Sequence, residues 1–181
     1  MSNRREFEIA FVGLKPGVHE YEYRITDKFF EGHNQQEFSN CQANVRLSLD
    51  KKSGFMMLKF EIGGRADVTC DRCNNKLPIE LWDEFSMTVK MVEDPQSFNR
   101  QEEDPDVYYI SRGESHINVS PWIFEFINLS IPMHKTCGYE KMDGPYCNKK
   151  AMDLLNRMKR EEKGKNNPIW KGLEKFKDPD Q

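Results

Sequence analysis

The chain has 181 residues, of which 31% are charged and 12% aromatic, and its formal net charge is −3. That length suits one domain with a sizeable core plus an appendage, and the composition suits a soluble globular protein with a polar surface. The opening MSNRREFEIAFVGL has an arginine pair but no apolar stretch with a small-residue cleavage site, and no apolar run approaches the ~20 residues of a spanning helix, so neither a secretory signal nor a membrane segment is expected.

A cytoplasmic setting follows as the expectation, in which the five cysteines stay reduced. There, paired cysteines point to metal or redox chemistry rather than to a disulfide framework. The net charge conceals a split. Residues 1–148 carry 17 Lys and Arg against 24 Asp and Glu, whereas residues 149–181 carry 10 against 6. This predicts a β-rich region over 1–148 with one packing helix, and a basic helical tail over 149–181. On charge alone that tail reads either as a solvated helix or as a nucleic-acid contact.

Along the chain, EFEIAF alternates Phe7, Ile9 and Phe11 with polar or small neighbours, the pattern of a half-buried strand. After the turn at Lys15 to Gly17, VHEYEYRI places His19, Tyr21, Tyr23 and Ile25 on one face, and a short helix is expected from Thr26 or Asp27. His19 and His33 read as structural or solvated. Two clearer strands follow. One aligns Ala43, Val45, Leu47 and Leu49, the other Met56, Leu58, Phe60 and Ile62, joined by the short connection DKKSG. Gly63 and Gly64 allow a bulge or bend before RADVT continues. LPIELWDEFSMTVKMV reads as one long strand, and the whole as an antiparallel meander with TCDRC at a hairpin tip.

Glu93 to Val107 holds two prolines and a dense acidic run without apolar periodicity, which reads as a mobile loop. VYYI is a brief return to the sheet. NVSPWIFEFINLSIP then reads as a helix capped by Ser120, with Pro121 in its first turn, Pro132 as its stop, and Trp122, Phe126 and Leu129 covering the sheet, flanked by Ile123 and Ile127. From Asn148 a second helix carries Met152, Leu155 and Met158 as its apolar stripe. A last one from Asn167 carries Ile169, Trp170, Leu173 and Phe176, and is too short to stand without docking. The fold class expected is therefore α+β: an antiparallel meander sheet or partial barrel with a Cys-x-x-Cys knuckle and C-terminal helices.

Cys70 and Cys73 have the gap that lets both sulfurs of a tight turn face one ion. A tetrahedral zinc site needs a second half, and MHKTCGYEKMDGPYC offers Cys137 and Cys147, with His134 as an alternative ligand. Three further readings compete: reduced, metal-free cysteines; a redox pair, which needs a helix N-terminus at the motif; and a nucleophilic cysteine beside His116 or His134. The motif lies between strand patterns, which disfavours the redox pair. Cys41 reads as a small core residue. No phosphate loop, metalloprotease motif or recognisable carboxylate pair is present, so no enzymatic activity is expected.

These landmarks resemble the YceD family of bacterial proteins, named for large ribosomal RNA subunit accumulation. The matching residues are Cys70, Arg72 and Cys73 in C-x-R-C, then Ile117, Glu125 in PWIFEFINLSIP, Pro132, Cys137 and Cys147. The resemblance spans roughly Phe7 to Phe176 and is specific in the C-x-R-C and Glu/Pro blocks. It departs where many members carry a tighter cysteine cluster ending in Cys-Gly, since here Cys147 lies ten residues past Cys137 and precedes Asn148.

The resemblance implies a non-enzymatic role in making the large ribosomal subunit, with ribosomal RNA or a basic large-subunit ribosomal protein as partner and no small-molecule substrate. Lys149, Lys150, Arg157, Lys159 and Arg160 are the residues expected to meet phosphates. Arg72 is expected to meet either a phosphate or Glu125. The competing expectation is a small zinc-stabilised interaction module with an unrelated partner.

Overall fold

Alternating apolar side chains in consecutive segments can be buried together only on one face of a sheet, and this governs most of the chain. The computed structural model describes residues 4–32, 36–99, 104–137 and 147–164. His33, part of the acidic loop and the expected helix from Asn167 lie outside the described residues. Two units are formed, one from Met1–Val68 with Pro78–His134, the other from Thr69–Leu77 with Lys135–Gln181.

In chain order the elements are β1 (Glu8–Ile9), β2 (Gly17–Thr26), α1 (Asp27–Phe30), β3 (Phe38–Lys51), β4 (Phe55–Thr69), β5 (Lys76–Val92), α2 (Pro95–Asn99), β6 (Val107–Ser111), β7 (Ile117–Asn118), α3 (Ser120–Leu129) and α4 (Lys149–Gly164). Five strands make an open sheet in the order β2-β3-β4-β5-β6, and β1 pairs with β7 in a separate two-stranded ladder. The α+β class expected from the sequence is the one observed.

The first unit holds the sheet. Val45, Leu47 and Leu49 from β3, Met56, Leu58, Phe60 and Ile62 from β4, and Leu81, Met87 and Val89 from β5 are buried on one face. The other face is polar, with exposed ion pairs running from Glu22 through Arg46 and Glu61 to Lys59 and Glu84. Such exposed pairs contribute little stability. The inner face carries the fold.

A bulge bends β3. The register passes from Ser39↔Asp67 to Gln42↔Arg65, leaving Asn40 with a left-handed φ of 53°. The Asp27 carboxylate, at the start of α1, accepts hydrogen bonds from the amides of Asn40 (3.0 Å) and Cys41 (2.7 Å). Gly64 is required opposite, because a Cβ there would overlap the Gln42 carbonyl oxygen. Cys41 is buried in the core, as expected.

Three expectations, on the acidic loop, the cap of α3 and Leu129, are corrected. The return to the sheet expected at VYYI is β6, which runs parallel to β5. The connection between them is long enough for a crossover, which a parallel pair requires. The first half of the acidic loop is also ordered: the Asn99 side chain exchanges two hydrogen bonds with the Tyr109 backbone, and Phe98 stacks on Tyr109 at 4.9 Å. In α3, the side chain of Asn118, rather than Ser120, accepts the first amide hydrogen bond, from Ser120 N. There Trp122, Ile123, Phe126 and Ile127 are buried, while Leu129 is 61% exposed. The face those four residues define meets position 130 next and leaves 129 about a quarter turn away.

Candidate metal centre

The second unit begins where β4 ends. Cys70 to Asn75 turn tightly: Asn74 N donates to the Cys70 carbonyl, Cys70 N to the Asn75 carbonyl, each at 2.9 Å. Asn74 takes the left-handed conformation (φ 57°) that this reversal needs and that asparagine tolerates. The turn is joined to the returning chain by Asp71, whose N–H donates to the Lys135 carbonyl and whose Oδ2 accepts from Lys135 N, both at 2.7 Å.

Two residues beyond that clasp, Cys137 reaches the turn. Its sulfur lies 3.5 Å from that of Cys70 and 3.3 Å from that of Cys73, and its N–H points at Cys70 Sγ at 3.4 Å. All three sulfurs lie within 4.8 Å of one another, and all three residues are buried. Cys147 is half-buried against this trio and hydrogen-bonds with Cys137. His134 is exposed and stands outside the trio.

Cys147 is followed directly by α4. The Asn148 side chain accepts from Ala151 N at 3.4 Å, and Met152 N bonds to the Asn148 carbonyl. Met152, Ala151 and Leu155 pack against the cysteines. The expected stripe is corrected at Met158, which is 53% exposed, because only the first turns of the helix face the sulfurs.

Electrostatically the sulfurs differ. The Asn148 N–H foremost, with the Asn75 N–H and the neighbouring thiols, pulls the Cys73 thiol down to about 6, although burial opposes this. Burial, then hydrogen bonds to the other sulfurs, pushes Cys137 up. The amides and neighbouring thiols therefore favour the thiolate form of Cys73. A divalent cation serves the same end by replacing the protons.

The donor set fits zinc. Zn–S bonds of about 2.3 Å in a tetrahedron place sulfurs about 3.8 Å apart, so the present separations need only a slight expansion. Amides aimed at the sulfurs and an all-sulfur donor set are what a soft-ligand structural site requires. A redox pair fits poorly, because no helix starts at the motif and Cys73 is only 1% exposed, which bars a disulfide substrate.

Arg72 is exposed on the turn, and Lys149, Lys150, Arg157, Lys159 and Arg160 are exposed along α4, all in this unit. Glu125 is exposed on α3 in the sheet unit. Sequence reasoning passed over Asp71, Lys135 and Asn148. The Asp inside the cysteine motif and the Asn ahead of a helical pattern were the available signals.

No curated protein and no solved structure matches the chain. The family model described as Large ribosomal RNA subunit accumulation protein YceD matches residues 58–177. That segment takes in most of β4, the cysteine turn with its returning strand, α3 and α4, well over half the sequence, and on this ground the chain belongs to the YceD family.

Proposed function

We propose that the protein supports accumulation of the large ribosomal subunit without catalysing a reaction, by binding ribosomal RNA through its cysteine-centred unit. The observation that carries this is the way charge follows the fold. The unit with the cysteines carries 14 Lys and Arg against 9 Asp and Glu, while the sheet unit carries 13 against 21. Six of those cations belong to α4, and five of them, Lys149, Lys150, Arg157, Lys159 and Arg160, are exposed where they can neutralise phosphates and release counterions.

In this reading Cys70, Cys73, Cys137 and Cys147 hold a structural zinc ion. With four sulfur ligands the ion supplies a crosslink and leaves no position for an activated water. It ties the turn to the start of α4 and so fixes the cations of that helix.

A second reading, a basic large-subunit ribosomal protein as direct partner, draws support from the sheet unit. Trp82 is 79% exposed on the polar face of β5, between Glu80 and Glu84 on the same face. An exposed tryptophan among carboxylates suits an Arg-rich segment.

Cosedimentation of the full chain with large-subunit precursors tests the proposal. Association should be lost when Lys149, Lys150, Arg157, Lys159 and Arg160 are neutralised together. Binding to neither ribosomal RNA nor ribosomal proteins at low salt would refute it and leave a zinc-stabilised module with an unrelated partner.

A further inference from the structure

A groove of about 390 Å³ opens beside the cysteine turn, entirely within the cysteine-centred unit. Met152 and Leu155, on the face of α4 that packs against the sulfurs, give it an apolar floor. Arg72 from the turn and Lys159 from α4 supply two cations at its rim, and Asn156 and Thr136 supply polar groups. Among the described residues, no side-chain hydrogen bond or ion pair engages Arg72, Asn156 or Lys159, so these groups are unspent.

We propose that this groove takes one unpaired nucleobase of an RNA strand, an inference that rests on the RNA-binding reading above. Phosphate binding alone has no use for an apolar floor; a flat, weakly hydrated ring does. The volume suits a single base better than a helix of paired bases. Arg72 offers a planar guanidinium on which a base can stack, and Lys159 a point charge for the adjoining phosphate. Asp71 also lines the groove. Its Oδ2 is taken up by Lys135 N, and its other oxygen can accept from an exocyclic amino group, as the Asn156 amide can also do. An apolar peptide side chain would fill the floor equally well, but the rim cations and the positive excess of the unit favour a polyanion.

The test measures binding of the full chain to a labelled single-stranded RNA decamer, to an abasic strand of equal charge, and to a duplex of the same sequence. The intact single strand should bind at least about tenfold more tightly than either control, the scale of one base contact. Asn156→Ala, at an exposed position, should weaken intact RNA several-fold and leave the abasic strand unchanged. Leu155→Gln, with folding checked by circular dichroism, should do the same by making the floor polar without adding charge. Equal binding of intact and abasic strands would overturn this proposal and leave the RNA-binding reading standing. Failure of all three nucleic acids to bind, with an apolar peptide captured at the groove instead, would overturn both.

Discussion

Asp71 and Lys135, 64 positions apart in sequence, are joined by two hydrogen bonds of 2.7 Å, one from each backbone amide, with the Asp71 carboxylate as one of the acceptors. This clasp brings the chain back so that Cys137, two residues on, meets the sulfurs of Cys70 and Cys73. Replacing Asp71 with Ala removes the charge-assisted acceptor and should destabilise the cysteine-centred unit by about 1–3 kcal/mol. Amide exchange at Lys135 should accelerate in step, and Asp71→Asn, which keeps an acceptor oxygen, should recover part of the loss.

The proposed four-sulfur zinc site predicts about one equivalent of zinc in freshly purified protein, measured by native mass spectrometry. Chelation should lower thermal stability, and readdition of zinc should restore it. Cys73→Ser should lose the metal. Less than about half an equivalent, with no change in stability on chelation, would rule out the metal reading.

Cys41 provides a pH test away from the metal centre. Burial, reinforced by the Asp27 charge, pushes its thiol up from 9.0 to about 11. A raised value means that folding favours the protonated form. The resulting stability is fully present below pH 9 and is lost as pH rises through about 11. Stability curves over that window should therefore flatten in Cys41→Ala, and alkylation of Cys41 at neutral pH should be slow.

Packing on α3 predicts a contrast between two residues of one helix. Phe126 is buried, stacked on Phe85 at 4.4 Å and tilted against Phe60 at 5.1 Å. Phe126→Ala should cost about 3–5 kcal/mol by denaturant unfolding. Leu129→Ala, at a mostly exposed site, should change stability by no more than about 0.5 kcal/mol. Equal losses would contradict the burial of Phe126 on the inner face of α3.

The alternation of Val45, Leu47 and Leu49 and of Met56, Leu58 and Phe60 was legible because period-two burial is written into neighbouring residues. The helical character of Ser120 to Leu129 was legible for a similar reason, as was the burial of Trp122 and Phe126 with Ile123 and Ile127 beside them, while the exposure of Leu129 was not, since a ten-residue helix samples too few turns to fix the edge of its face. The parallel pairing of β6 could not be read. Val107 to Ser111 specify a strand but not which edge they meet, and the pins at Phe98 and Asn99 act through Tyr109. The turn at Cys70 and Cys73 was visible from its two-residue gap. The clasp of Asp71 by Lys135 was not, because it depends on where the chain returns after α3. Asn148, an ordinary residue in sequence, gained its influence on Cys73 only once a backbone amide was aimed at the sulfur.

The salt dependence of RNA binding by the full chain bears most directly on the role assigned to the cysteine-centred unit. The logarithm of the binding constant should fall linearly with that of salt concentration. Neutralising Lys149, Lys150, Arg157, Lys159 and Arg160 should flatten the slope by up to about 3.5, at roughly 0.7 per phosphate contact on a single strand. An unchanged slope in that variant, or affinity for RNA that ignores salt altogether, would contradict RNA binding through α4.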